Sequence, residues 1–527
     1  MNGWHDIVKL ASLGLDRQSL LLPKTESNVS KLLGQLDTAD SERSLLSAAA
    51  ILGLHQQAGH VPTVKAGDRI APCVPDPFPF CSPRAAQHLQ QMLAGESANE
   101  FANAFAKVLP EWLEAVTKAQ QRVPSECLPP LLEWGRQHPQ FRAILFPVLG
   151  KRGCWLAQQN PDWDYVRDFN IEPGTEAQMW QQGTSGMRQQ VLQRLRATDP
   201  SLAAEWVTSS WKQDKAPDRA KFLATFAVGL SLADVALLEL ALADKSKLVR
   251  AAAADLLARL PQSGFCDRSR QRLLKYVTIS HNPSQNPSPQ LDIQLEIELP
   301  KTCPKEATRD GIVPQPPAGI KAKPWWLLQM VAAVPPDFWG EFASPTTWVK
   351  AVKGEEYENA LLEGWAIAAA RHQDVEWARA LLKVLPGLKG YAIGGENSLE
   401  ALMRVLPVEV LEGAIVNLVK FDGSRLSKNH PAVCLLRRCQ HCWSATLTRA
   451  VLDRFSNEIA TSKDNYNWGL RSAFLDFADV IDPAMVDEAI AGLQNVAKPG
   501  SYWAQTVDEF LEMLQFRRAC RQAIDEI

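Results

Sequence analysis

Residues 231–261, SLADVALLELALADKSKLVRAAAADLLARLP, constrain the fold more than any other stretch of the chain. Ser231 and Asp234 have the spacing of a capping box, in which two side chains satisfy the orphan backbone donors at a helix start. Val235, Leu238 and Leu242 then recur at helical spacing on one face. The polar residues from Asp244 to Ser246 can cap a second helix. That helix aligns Val249, Ala253, Leu256, Leu257 and Leu260, and Pro261 ends it. So short a link forces the two helices back on each other as an antiparallel hairpin. The alanines at 251–254 leave room for a neighbouring backbone to approach.

Asp244 followed by Val249 and Arg250 and an alanine-rich apolar run resembles the second half of a HEAT repeat. The resemblance implies that the aspartate caps the inner helix and that the arginine bonds along a stack of hairpins. Asp244, Val249 and Arg250 are therefore the expected stacking residues. Helical spacing recurs on both sides, through residues 184–229 before this hairpin and from 324 to the end of the chain. The expected fold is an all-α, HEAT-like helical-hairpin solenoid, an architecture in which each repeat packs on its neighbours.

One segment breaks the pattern. Between residues 279 and 323 eight prolines exclude long helices, yet LDIQLEIEL at 291–299 alternates strictly between apolar and polar. Period two places Leu291, Ile293, Leu295, Ile297 and Leu299 on one face of a strand. A lone strand is unstable, so the expected partner is a segment near 311–321, or the helices themselves. This proline-rich insert, carrying a short strand or hairpin, divides the chain into an expected helical region at 1–278, the insert at 279–323 and a second helical region at 324–527.

Charge and composition narrow the function classes. A net charge of −3, with both signs scattered, provides no field to draw in nucleic acid or an anionic membrane. No apolar run approaches the ~20 residues that span a bilayer. The first residues lack a basic segment followed by an apolar core, and ten thinly spread cysteines suit a reducing compartment, so a cytoplasmic protein is expected. The 17 tryptophans are expected chiefly in helix–helix contacts.

Two clusters are candidates for chemistry. Residues 150–163, GKRGCWLAQQNPDW, bring Arg152, Trp155, Asn160 and Trp163 together, and arginine and tryptophan dominate binding hot spots. The bland alternative makes Gly150 and Gly153 a tight turn and the tryptophans core plugs. In NHPAVCLLRRCQHCWS, His430, Cys434, Cys439, His441 and Cys442 include a C-x-x-C pair that could supply zinc ligands. Against a metal, Leu435 and Leu436 sit in a helical run that turns Cys434 and Cys439 to different faces, and no turn glycine lies between them. No metal and no cofactor is expected. The chain has no G-x-S-x-G, P-loop or H-E-x-x-H, so the common hydrolytic and phosphate-binding mechanisms have no entry point.

LPEWLEAV at 109–116, LPPLLEWG at 128–135, residues 149–163 and 218–263, Arg309, Asp310, Gly311 and Ile312, and the WWLL helix start at 325–328 together resemble an uncharacterised bacterial family of HEAT-like helical proteins, a domain of unknown function. The resemblance implies gene neighbours of the MoxR-type AAA+ ATPase and von Willebrand factor A classes, and it supplies no catalytic residue. The expected function is thus a non-enzymatic protein-binding scaffold or adaptor whose partner is such an ATPase or von Willebrand A protein. The runner-up is a nucleic-acid-binding protein or a HEAT-like DNA glycosylase, which the absence of a basic stripe argues against.

Overall fold

Apolar residues spaced three and four apart must bury one stripe, and helices packed on helices are how most of this chain does so. The computed structural model of the chain describes residues 2–15, 22, 28–37, 39–58, 71–94, 107–169, 174–282, 292–387, 397–421, 423–461, 467–494 and 496–526. These are predominantly α-helical, with one two-stranded sheet among them. They fall into two compact units, Met1–Pro72 and Cys73–Ile527. The smaller unit has its own core of Ile7, Val29, Leu33, Ala48 and Leu52.

Within the larger unit the hairpin at 231–261 forms as its sequence directs. Ser231 and Asp234 close the capping box at the single turn Leu232–Asp234, and the helix Val235–Leu242 follows. The return helix, Lys247–Leu257, buries Val249, Ala253, Leu256 and Leu257. The backbone that approaches its alanines is the loop at Gly311. That glycine has φ +90°, and a Cβ on it would lie 2.6 Å from the Ala254 Cβ. Only glycine satisfies both the backbone angle and the contact.

A buried guanidinium ties the hairpin to what precedes it. Arg196, 1 % exposed, makes a double hydrogen bond to Asp234 at 2.8 and 2.9 Å. Its other N–H groups donate to the carbonyls of Val228, Gly229 and Pro200, and it lies over the Phe226 ring. A buried cation is tolerable when every donor is used, as here.

The strand at 291–299 is present as Asp292–Ile297, but its partner is not the segment near 311–321. It pairs antiparallel with Val277–Asn282, the chain immediately before it, with Ile279 opposite Leu295. Val277 and Ile279 bring their own apolar alternation to the core, whereas Pro314, Pro316 and Pro317 remove ladder donors from the segment near 311–321. The predicted face holds: Ile293 and Leu299 are buried, Leu295 and Ile297 half-buried, and Gln294, Glu296 and Glu298 exposed. Leu291 lies outside the described residues. Residues 279–323, read as a boundary, contribute Ile293, Leu299, Ala307 and Ile312 to the same hydrophobic core as residues on both sides.

Tryptophan fills helix contacts as expected. Trp339, Trp348 and Trp365 are each buried, with ring centroids 5.2–5.8 Å apart, and Trp377 joins at 5.1 Å from Trp365. The C-terminal helix, Tyr502–Asp525, packs against Pro83–Ala94 and Leu109–Lys118. Ser82 Oγ and Gln121 Nε2 donate to the carbonyls of Ala523 and Ile524 near its end. The two ends of the larger unit therefore meet, unlike a stack in which each repeat touches only its sequence neighbours.

Candidate functional site

The cluster at 150–163 is built on a broken helix. Arg142–Ala157 is interrupted at Gly150, whose φ of 62° and ψ of −173° are not helical, so a new helix begins at Lys151. The fresh N-terminus is capped by a carboxylate distant in sequence. Asp76 accepts from the backbone N–H of Lys151 and, at 3.3 Å, from that of Arg152. A Cβ at position 150 would stand 2.6 Å from Asp76 Oδ1, so the carboxylate fits only because the residue is glycine. An anion at a helix N-terminus meets its orphan donors and its positive dipole end.

The four named side chains divide their tasks. Arg152 is exposed and Trp155 half-buried, one turn into the new helix. Asn160 faces inward on its own backbone: its Oδ1 accepts from the Asp162 N–H at 3.1 Å and starts the 3-10 segment Pro161–Phe169. Trp163 is half-buried against the main core. Arg152 and Trp155 thus present a surface, while Asn160 and Trp163 hold the segment behind it. Tyr165 helps by donating to the Leu132 carbonyl at 2.9 Å, and burial pushes its phenol up to about 12.

The cysteine–histidine cluster is dispersed by structure. Cys439 is buried and its thiol is pushed up to about 12 by that burial, whereas Cys442 is exposed. His441 Nε2 lies 3.1 Å from Glu412 Oε1, and His430 Nδ1 accepts from the Ala432 N–H as a helix cap. Among the described residues no group of three or more His, Cys, Asp or Glu side chains is placed to hold a metal ion.

One cleft borders the cysteine–histidine segment at Gln440, His441 and Cys442, and another lies in the hairpin region. A cleft of about 840 Å³ runs between Leu109–Lys118 and the C-terminal helix. Its two arginines serve structure: Arg517 donates to Glu111 at 2.6 Å and to the carbonyls of Ala478 and Ile481, and Arg521 bridges Glu111 and Asp482. A second cleft, of about 460 Å³, opens between Val235–Leu242, Gly264–Leu274 and Lys305–Arg309.

The hairpin region holds an arrangement that the sequence reading missed. Arg188, Arg219 and Arg250 stand 31 residues apart, each the fourth residue of its helix, in Ser185–Thr198, Ala216–Ala224 and Lys247–Leu257. Arg188 pairs with the Asp214 carboxylate at 2.6 and 3.1 Å, and Arg219 donates to the carbonyl of that same Asp214. Arg219 then pairs with the Asp244 carboxylate at 2.9 Å, and Arg250 donates to the Asp244 carbonyl at 2.7 Å. Asp244 also accepts from the Ser246 N–H at 2.8 Å, in the turn just before the return helix, whose start has no side-chain cap. So Arg250 meets the backbone of Asp244, and the carboxylate belongs to Arg219 on Ala216–Ala224. Trp180 and Trp211, also 31 apart, lie beneath Arg188 and Arg219 at 4.1 and 5.5 Å. The legible signal is this period. Each arginine is followed at the third and fourth positions by apolar pairs: Val191 and Leu192, Phe222 and Leu223, Ala253 and Ala254.

No curated protein and no solved structure matches this chain. A family model described as a family of unknown function (DUF5691) matches residues 6–524.

Proposed function

This chain belongs to that family of unknown function, whose description names no activity, and from its own geometry we propose that it is a non-enzymatic protein-binding scaffold or adaptor built around HEAT-like hairpins. The observation that carries the reading is the ladder of Arg188, Arg219 and Arg250 with Asp214 and Asp244. The pairs Arg188–Asp214 and Arg219–Asp244 each join a helix to the turn before a later one, a linkage that supports successive hairpins held in one register with their outer faces left for recognition. The runs resembling a family found beside MoxR-type ATPases and von Willebrand A proteins make one of these the partner to try first. Arg152 and Trp155 form the contact to test, because an exposed cation beside a half-buried indole on a freshly capped helix is a rigid anchor.

The experiment is a pulldown by the purified full chain of each candidate partner, repeated with Arg152→Ala and Trp155→Ala after circular dichroism confirms their helix content. Capture that falls at least ten-fold in both variants supports the reading. Unchanged capture moves the contact elsewhere. Absence of any protein partner, together with binding or cleavage of damaged duplex DNA, would replace the scaffold reading with its nucleic-acid alternative.

A further inference from the structure

The helix around Val235–Leu242 is apolar on both sides. Its inner face buries Leu237, Leu238, Ala241 and Leu242. Its outer face carries Leu232, Ala233, Ala236, Leu240 and Ala243, all exposed and recurring three or four residues apart. Leu232 and Leu240 are each about half exposed, at 50 % and 49 %. An exposed apolar stripe of this kind, backed by a buried apolar face, marks an interaction site.

The stripe leads into the 460 Å³ cleft, since Ala243 belongs to both. The cleft has more hydrogen-bond donors than acceptors to meet them. Arg268 and Arg272 use a single nitrogen, Nη2, toward Glu239 and Asp310. Lys275 and Arg309 are exposed on its rim with no partner among the described residues. Four cations face three carboxylates, Glu239, Glu306 and Asp310, and two of those carboxylates are already covered by arginine. The vacant donors fit further carboxylates, and guanidinium groups favour them through paired, charge-assisted hydrogen bonds.

We propose that this surface captures an acidic, amphipathic segment of a protein partner, with apolar side chains on the Leu232 and Leu240 stripe and carboxylates in the cleft. The proposal rests on the scaffold reading and names its partner's chemistry, at a surface separate from Arg152 and Trp155. Neither half suffices alone: the stripe supplies burial without orientation, and the cations fix which end of the segment enters the cleft.

The test is selection of a displayed random-peptide library on the full chain, followed by fluorescence anisotropy with a labelled synthetic copy of the best binder. Selected peptides should combine Leu, Ile, Phe or Met with Asp or Glu. Replacing the peptide's Asp and Glu by Asn and Gln should weaken binding at least ten-fold. So should the double change Lys275→Glu with Arg309→Glu, and so, separately, should Leu240→Gln. All three residues are exposed, so these variants should keep the parent's circular dichroism and melting temperature. Peptides without acidic enrichment, or binding indifferent to both variants, would overturn the proposal. So would a selection that yields no binder. If protein capture in the pulldown persists through the Lys275 and Arg309 changes, the cleft is wrong and the scaffold reading stands. If duplex DNA rather than peptide binding is lost with them, the cleft serves nucleic acid instead.

Discussion

At the scale of single residues, the most exacting position is Gly150. Its φ of 62° and the approach of Asp76 Oδ1 to 2.6 Å from any added Cβ act together. Gly150→Ala must strain the backbone and displace the carboxylate that caps Lys151 and Arg152, a loss of about 2 kcal/mol in all. Urea unfolding of the variant should show a lower midpoint, and Asp76→Ala should lower it in the same direction. Combined, the two changes should lose less than their sum, because the alanine has already displaced the cap. A second expectation concerns pH. Burial, and then the neighbouring Arg371, hold His372 below its ordinary 6.5, and burial with Arg84 does the same for His88. Both are depressed in the folded state, so the unfolded chain binds protons first as the pH falls. Stability should be fully present above pH 6.5 and decline below it. Urea midpoints at pH 7.5 and 5.5 should diverge, and His372→Gln should narrow the gap.

At the scale of elements, the ladder explains why neighbouring arginines differ in importance. Arg219 serves both sides, donating to the Asp214 carbonyl and pairing with the Asp244 carboxylate. Arg250, at the end of the row, donates only to the carbonyls of Asp244 and Lys245. Removing Arg219 leaves a largely buried carboxylate with one backbone N–H as support, and Arg219→Ala should cost about 3 kcal/mol. Removing Arg250 leaves only carbonyls that water can reach, so Arg250→Ala should cost about 1 kcal/mol. Calorimetric melting of the two variants checks the order; equal losses would mean that the rungs act independently of their neighbours.

At the scale of the whole molecule, each unit has its own core. A chain beginning at Cys73 should therefore fold, keep its helical circular dichroism, and melt within a few degrees of the parent. Loss of cooperative melting on removing residues 1–72 would show that the larger unit depends on the smaller one. What the sequence settled for itself was local. Three-and-four spacing made helices of residues 235–242 and 247–257, and strict alternation made a strand of 292–297, because a side chain's direction depends on the backbone within a few residues of it. The capping box at Ser231 was legible for the same reason, as were the inward positions of most tryptophans, Trp4 and Trp468 being exposed. Partners were another matter. The strand took the segment before it rather than the one near 311–321, and Arg517 on the last helix found Glu111. Asp76 crossed to the break at Gly150, and the Asp244 carboxylate went to Arg219 instead of Arg250. Nothing in local periodicity distinguishes one carboxylate from another. Tertiary packing decided, since a charge leaves water only where geometry brings an opposite charge and enough hydrogen bonds to replace it.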